Sequence, residues 1–279
     1  MDSVFGPIDS RVDFDVAFEP SRSAGHKYVL NGDDGTVIGV VGKDFNCASH
    51  RDFFSRVQET ITDSFTDSEL DGATARYRVA REGGWAMCDM NMPSVARSVT
   101  TTKHKTTFGY RVVALHGIDG SCSNTCIFGA IDFFCTNGLI SGSYDSLKRK
   151  NTSGFRLDTF IKQLEDSRTD FDSRIVALQW MADTSLSGRY ERVKETLNDL
   201  MPERRAAKML DLYGREVATR GENAFALVSA FTNYSSHNED NGFGLRKTSN
   251  DNGELAMWRR ESEVSSWLGS DAFNRLIAA

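Results

Sequence analysis

Proline is scarce in this chain, at 4 of 279 residues, and aromatic residues still reach 10%. Collagen-like, mucin-like and disordered classes are excluded on that ground. No apolar run approaches the ~20 residues needed to cross a bilayer, so no membrane association is expected. The opening stretch, MDSVFGPIDSRVDFDVAFEP, lacks both a basic start and an apolar centre, and no signal peptide is expected there. Cysteine is limited to Cys47, Cys88, Cys122, Cys126 and Cys135, an odd count that argues for reduced thiols in a cytoplasm. Cys122 and Cys126 have the spacing of half a zinc site, but no second Cys or His pair completes it, so neither metal nor cofactor is expected. Nucleophile signatures are missing too. There is no Gly-x-Ser-x-Gly, and the glycine-rich turns lack the Lys-Ser/Thr of a phosphate-binding loop.

Positive charge is also lacking overall, since the chain carries a formal −6. The average conceals a division. Residues 1–72 carry net −8, residues 73–156 net +6 and residues 157–279 net −4. A polyanion responds to local field rather than to net charge, so the middle segment can attract one while the whole stays acidic.

Pattern then assigns elements. Residues 1–25, acidic and aperiodic, read as an extended arm. His26–Asn31 and Thr36–Val41 flank a Gly-Asp-Asp-Gly turn and make a hairpin. Ser49 caps a helix, with Asp52 three positions on, and Phe53, Val57, Ile61 and Phe65 give it one apolar stripe. From Ala73 the period becomes two. Strands are expected at Arg76–Arg81, Trp85–Met90, Tyr110–His116 and Cys126–Phe134, with a polar loop over Ser98–Thr107 and a turn at Asp119-Gly120. Helical spacing follows, starting with Leu157, Phe160, Ile161 and Leu164 and continuing through Phe171, Ile175 and Leu178. Further helices run over 190–200, 202–217 and 224–234, a polar loop over 235–253, and a last amphipathic segment through Leu276. The expected class is α+β: an antiparallel meander with a long basic hairpin, backed by helices, and then a helical C-terminal half. The sheet domain spans 26–155 and the helical region 156–279.

Two constellations carry chemistry. Arg76, Arg78, Arg97, Lys103, Lys105, Arg111, Lys148, Arg149 and Lys150 concentrate on strands and loops of the basic segment, interleaved with Tyr77, Trp85, Phe108 and Tyr110. Cations tracking phosphates beside aromatics that stack bases are the parts of a single-strand groove. The second set is His116, Asp119 and His237, which a metal-dependent enzyme would need to bring together. A third possibility is a protein bound to a host factor through its acidic ends.

Three segments carry a resemblance. His116-Gly117-Ile118-Asp119-Gly120-Ser121 is similar to an HDGS turn, Phe133–Leu139 to an RVVCxNTL segment, and Asn223–His237 to an NAxTxYxxH helix, all of the phage/plasmid-like family of unknown function numbered 932. The Val29–Gly42 hairpin fits as well, and the resemblance covers roughly residues 26–275. It implies a phage or plasmid gene product in a bacterial cytoplasm, and it transfers no catalytic residue. At the level of fold, a helix, long antiparallel strands with a basic hairpin and another helix are similar to the core of Rad52-like single-strand annealing proteins. That likeness implies a non-catalytic homo-oligomer that binds single-stranded DNA in replication or recombination.

Overall fold

Period-two alternation and turn chemistry set the strands. The computed structural model describes residues 4–132, 138–139, 147–151, 156–159, 170–237 and 250–278. A three-stranded antiparallel sheet runs in the order β1 (Val16–Pro20), β2 (His26–Asn31), β3 (Val37–Gly42). A six-stranded antiparallel sheet runs β4 (Thr74–Ala80), β5 (Trp85–Thr100), β6 (Lys105–Gly117), β7 (Asn124–Asp132), β8 (Gly138–Leu139), with β9 (Leu147–Arg149) also paired to β7. Two helices precede the larger sheet, α1 (His50–Ser64) and the short α2 (Asp67–Leu70). The C-terminal half supplies α3 (Asp170–Asp183), α4 (Tyr190–Leu200), α5 (Glu203–Arg220), α6 (Ala224–His237), α7 (Asn250–Leu268) and α8 (Asp271–Ala278). The class is α+β, with the expected meander and the expected helical second half.

Directly paired residues share a face, so the register divides the larger sheet cleanly. Tyr77, Val79, Ala86, Cys88, Met90, Tyr110, Val112 and Ala114 lie on one face and enter the main core. Phe53, Phe54, Val57 and Ile61 of α1 cover that face, together with α3 and with α6, which is buried over most of its length. Asn223 caps α6, its Oδ1 accepting from the Ala226 N–H at 2.9 Å. The opposite face carries Arg76, Arg78, Ala80, Trp85, Met87, Asp89, Arg111, Val113 and Leu115. There α7 packs over β4, bringing Trp258 against the small cluster of Trp85, Met87, Val113 and Leu115.

Three expectations need correction. Within the expected arm over 1–25, the described residues 4–25 are not free: Phe5, Val12 and Phe14 are buried, β1 pairs with β2, and Arg51 binds both Asp13 and Asp15. Apolar side chains spaced among acids defeat a periodicity test yet still find the core. The stretch expected as a polar loop over Ser98–Thr107 is strand except for residues 101–104, because Val99 and Thr106 face inward at 0% and 1% exposure and threonine suits a pleated surface. Its tip is fastened rather than loose. The Gln179 side chain bonds the Thr100 backbone at both N–H and C=O, each at 2.9 Å, and the buried Arg220 donates to Thr106 Oγ1. Third, α7 starts at Asn250, inside the polar loop expected over 235–253, and α6 reaches His237. The expected helix from Leu157 lies partly outside the described residues.

A histidine pair joins α1 to the sheet. His50 Nε2 lies 2.7 Å from the Gly83 carbonyl, and His50 Nδ1 lies 2.9 Å from His116 Nδ1. A carbonyl only accepts, so His50 Nε2 carries the proton. Neutral His50 then accepts at Nδ1, and His116 Nδ1 donates. Phe53 stacks on the His116 ring with centroids 4.4 Å apart. Burial drives both imidazoles toward neutrality, His50 to about 4 despite its bond to Gly83, and His116 well below its ordinary value with His50 adding to the effect. Folded values below the unfolded value of 6.5 mean that the pair's stabilisation is present above pH 6.5 and is lost as pH falls toward 4. Thermal unfolding should therefore show a loss of up to about 3 kcal/mol from His50 across that interval. A His50→Asn variant should lack this component, and equal pH slopes in the two proteins would contradict the assignment.

Candidate functional site

Asp89 and Arg111 occupy strand positions whose neighbours are apolar, and the register sets them diagonally on the second face of the sheet. Arg111 Nε donates to Asp89 Oδ1 at 2.8 Å and Nη2 to Oδ2 at 2.7 Å, a two-bond fork. The same Nη2 reaches Glu261 Oε1 of α7 at 3.2 Å. Arg111 is 2% exposed, and Asp89 and Glu261 are also buried. Burial raises the Asp89 carboxyl, but the charge and hydrogen bonds of Arg111, with Arg78 and Arg76 behind it, outweigh that and hold it below the ordinary range. Glu261 moves the other way. Burial pushes it up and Asp89 adds repulsion, against the pull of Arg111. Arg111 itself is held above its ordinary value: burial works against its charge, and the two carboxylates more than offset that. Among the described residues, the buried Arg111 Nη1, Glu261 Oε2 and Asn91 Oδ1 have no hydrogen-bond partner.

The expected groove is redistributed by this packing. Arg76 is exposed on the second face, and Arg78 lies buried beside it at 7% exposure. Arg111 shares the face but is committed to Asp89 and Glu261, so the expectation that it contacts phosphates from an open groove is corrected. Arg97 pairs with Phe108 across the ladder, hence sits on the opposite face, and binds Asp172 of α3 at 2.8 Å. Lys103 donates to the Val217 carbonyl of α5 at 3.3 Å. Lys105 and Lys150 are exposed. Lys148 and Arg149 stand in β9 opposite Thr125 and Asn124, and their side chains lie outside the described residues.

The stacking candidates belong to the interior. Trp85, Phe108 and Tyr110 are each 2% exposed, Phe108 meeting Phe225 and Tyr110 meeting Phe171. Tyr77 is half-buried, packs on Phe54 and accepts from Gln58 Nε2 at 2.9 Å. None of the first three offers a ring face to a base, which corrects that expectation. Apolar strand positions in a covered sheet claim aromatics before a ligand does.

The histidine and aspartate set does not assemble as an acid/base pair. His116 bonds His50, whereas Asp119 takes Arg81 Nε at 3.2 Å and the Ser121 N–H at 2.8 Å. His237 ends α6. Among the described residues no group of three or more His, Cys, Asp or Glu side chains is arranged to hold a metal ion. Among the described residues, Cys47, Cys88, Cys122 and Cys126 form no disulfide. No helix among the described residues is long and apolar enough to cross a membrane.

A family model described as Domain of unknown function (DUF932) matches residues 37–262. The chain belongs to this family. The matched span begins at β3 and ends in α7, so it contains Asp89, Arg111 and Glu261 together. No curated protein and no solved structure matches the chain.

Sequence reasoning missed Asp89, Asn91 and Glu261, and it missed His50 as partner to His116. A signal was present for the first: a lone carboxylate inside Trp-Ala-Met-Cys-Asp-Met and a lone arginine inside Tyr-Arg-Val-Val imply one another, since neither survives unpaired in a covered strand. Removing one partner should expose the dependence. Asp89→Ala leaves Arg111 buried without its fork and should cost about 3–5 kcal/mol by denaturant unfolding. The triple replacement Asp89→Leu, Arg111→Met, Glu261→Leu should recover most of it. A single variant costing less than about 1 kcal/mol would contradict the buried pair.

Proposed function

We propose that this protein binds single-stranded DNA without bond-making chemistry, as a phage strand-binding or strand-annealing protein of replication or recombination. The observation that supports the reading best is the survival of exposed cations on one sheet face. Arg76 of β4 and Lys105 of β6 both stand on the second face by register, and neither makes an ion pair among the described residues. Lys105 precedes Val113, the residue level with Arg76, by eight positions on β6, so the two cations span roughly 26 Å along the strands. That separation suits a strand backbone lying across the face. Lys150 is also exposed, just beyond β9. The contacts are backbone contacts, which bring affinity and salt dependence rather than sequence preference.

The proposal keeps the Rad52-like analogy as an analogy of element order alone: α1, then the antiparallel β4–β7 meander, then helices. One protomer offers few exposed cations, so the proposal includes a homo-oligomer that aligns several such faces. The acting compartment is the cytoplasm of a bacterial host.

Fluorescence anisotropy with labelled oligo-dT tests the reading. Binding at ~50 mM salt should weaken steeply as salt rises, and Lys105→Glu should reduce the log–log salt slope by about 0.7 for the lost phosphate contact. Arg76→Glu/Lys105→Glu should abolish binding while leaving the unfolding temperature unchanged. Absence of binding at low salt, or a double variant that binds like the parent, would overturn it.

A further inference from the structure

The edges of the two sheets are guarded unequally. β1 carries Glu19 and ends in Pro20, and β4 carries Arg76 and Arg78 with α7 packed over it. Charge and proline are the usual means of keeping a strand edge from pairing with another chain. β3, the other edge of the three-stranded sheet, reads Val-Ile-Gly-Val-Val-Gly and has neither. Its backbone direction follows from the register. The Lys43 N–H bonds the Gly25 carbonyl at 2.9 Å, one step beyond the His26–Gly42 pair. Bonded and unbonded pairs alternate in an antiparallel ladder, so Gly39 and Val41 bond β2 while Val40 and Gly42 turn their backbone groups away. The register shift beside Val29 lies on the Val37 side and leaves this stretch regular. The Gly42 carbonyl takes the Phe45 N–H at 3.0 Å, whereas nothing among the described residues bonds the Val40 N–H or C=O. The side chains agree: Val40 is 54% exposed and Val37 51%. From its other face β3 is seated firmly, since a Cβ at Gly39 would lie 3.1 Å from Asp119 Cβ.

We infer that the β3 edge pairs antiparallel with β3 of a second copy of this chain, joining the two three-stranded sheets across a two-fold axis. An uncharged edge with both donors and acceptors free is complementary to itself under a two-fold, which makes every contact twice. Direction follows from charge. Asp33 and Asp34 precede β3, Lys43 and Asp44 follow it, and all four are exposed. Parallel pairing would set acid against acid at the leading end, whereas antiparallel pairing sets that end beside Lys43. Val37 and Val40 lose their exposure in the same step. A six-residue strand falls short of the ~800 Å² per partner of a standard interface, so the dimer is weak, with a dissociation constant on the order of 10 μM. The inference rests on the edge alone, and it supplies a surface for the homo-oligomer that the DNA-binding reading includes.

Sedimentation velocity of the full chain, without DNA, tests the edge. The parent should approach twice the protomer mass at ~100 μM. Val40→Lys puts a charge on the edge and should leave monomers, with the unfolding temperature unchanged because that side chain already meets solvent. Val40→Pro removes the outward N–H without touching a bond to β2, and should weaken the dimer about ten-fold or more. Val40→Thr keeps the N–H and the β-branch and should dimerise like the parent. Trp180→Lys, on the exposed apolar patch of α3, is the control and should also dimerise like the parent. Circular dichroism monitors folding in each. A parent that stays monomeric at ~100 μM overturns the inference. So does a dimer that survives both Val40→Lys and Val40→Pro, or one dissolved by Trp180→Lys instead. Oligo-dT binding is read separately. Its absence with the dimer intact overturns the DNA reading and leaves the edge standing. A parent that binds oligo-dT as a monomer overturns the edge and leaves DNA binding standing.

Discussion

Arg111 is the constraint on which the second face of the sheet depends. A guanidinium at 2% exposure in the middle of a six-stranded sheet is tolerable only with its charge matched and its donors engaged. Asp89 supplies a fork from the adjacent strand, and Glu261 supplies a third bond from a helix 150 residues away in sequence. That last contact ties α7 to the sheet, because displacing the helix would expose the cluster and strip Arg111 of a partner at once. The family match extends as far as this part of α7 and ends just beyond Glu261, at residue 262. The same cluster also divides the basic segment's charge into two populations. Arg78 and Arg111 are spent inside, whereas Arg76 and Lys105 remain for solvent.

The two faces of the sheet thus do different work. The first face is closed by apolar side chains from α1, α3 and α6, and buried polar links such as the neutral His50–His116 pair and Arg220–Thr106 join helices to its strands. The second face is polar along its β4 side, where α7 packs over it. A ligand that carries negative charge meets exposed arginine and lysine on the second face, and meets hydrocarbon on the first. This asymmetry is a property of register, since a one-residue slip of β4 against β5 would exchange Arg76 and Arg78 for Tyr77 and Val79.

Much of the architecture was legible in the residues. Ser49 caps α1 as its spacing implies, its Oγ accepting from the Asp52 N–H at 2.9 Å, and the Gly-Asp-Asp-Gly turn joins β2 to β3. What escaped reading depended on partners distant in sequence. Threonine-rich polarity over Ser98–Thr107 suggested a loop because nothing local reports that Gln179 and Arg220 will hold its edge. The arm's Val12 and Phe14 have no period to announce their burial. Among the site residues, charge type was visible, but the face each cation would occupy was not. Arg97 illustrates this: the irregularity between Met92 and Ala96 resets its alternation and turns it toward Asp172 on the first face. Aromatics beside cations looked like a stacking platform, yet Phe108 and Tyr110 serve the core that makes the sheet stable.

The central proposal is one of location: single-stranded DNA would lie along the exposed Arg76 and Lys105 of the second face, beside α7. Hydrogen–deuterium exchange with and without oligo-dT measures it most directly. The account predicts added protection over Thr74–Ala80, the 100–105 tip and α7, with α1 and α4 unchanged. Protection confined to α1, α4 or the three-stranded sheet, with the second face unaffected, would contradict it.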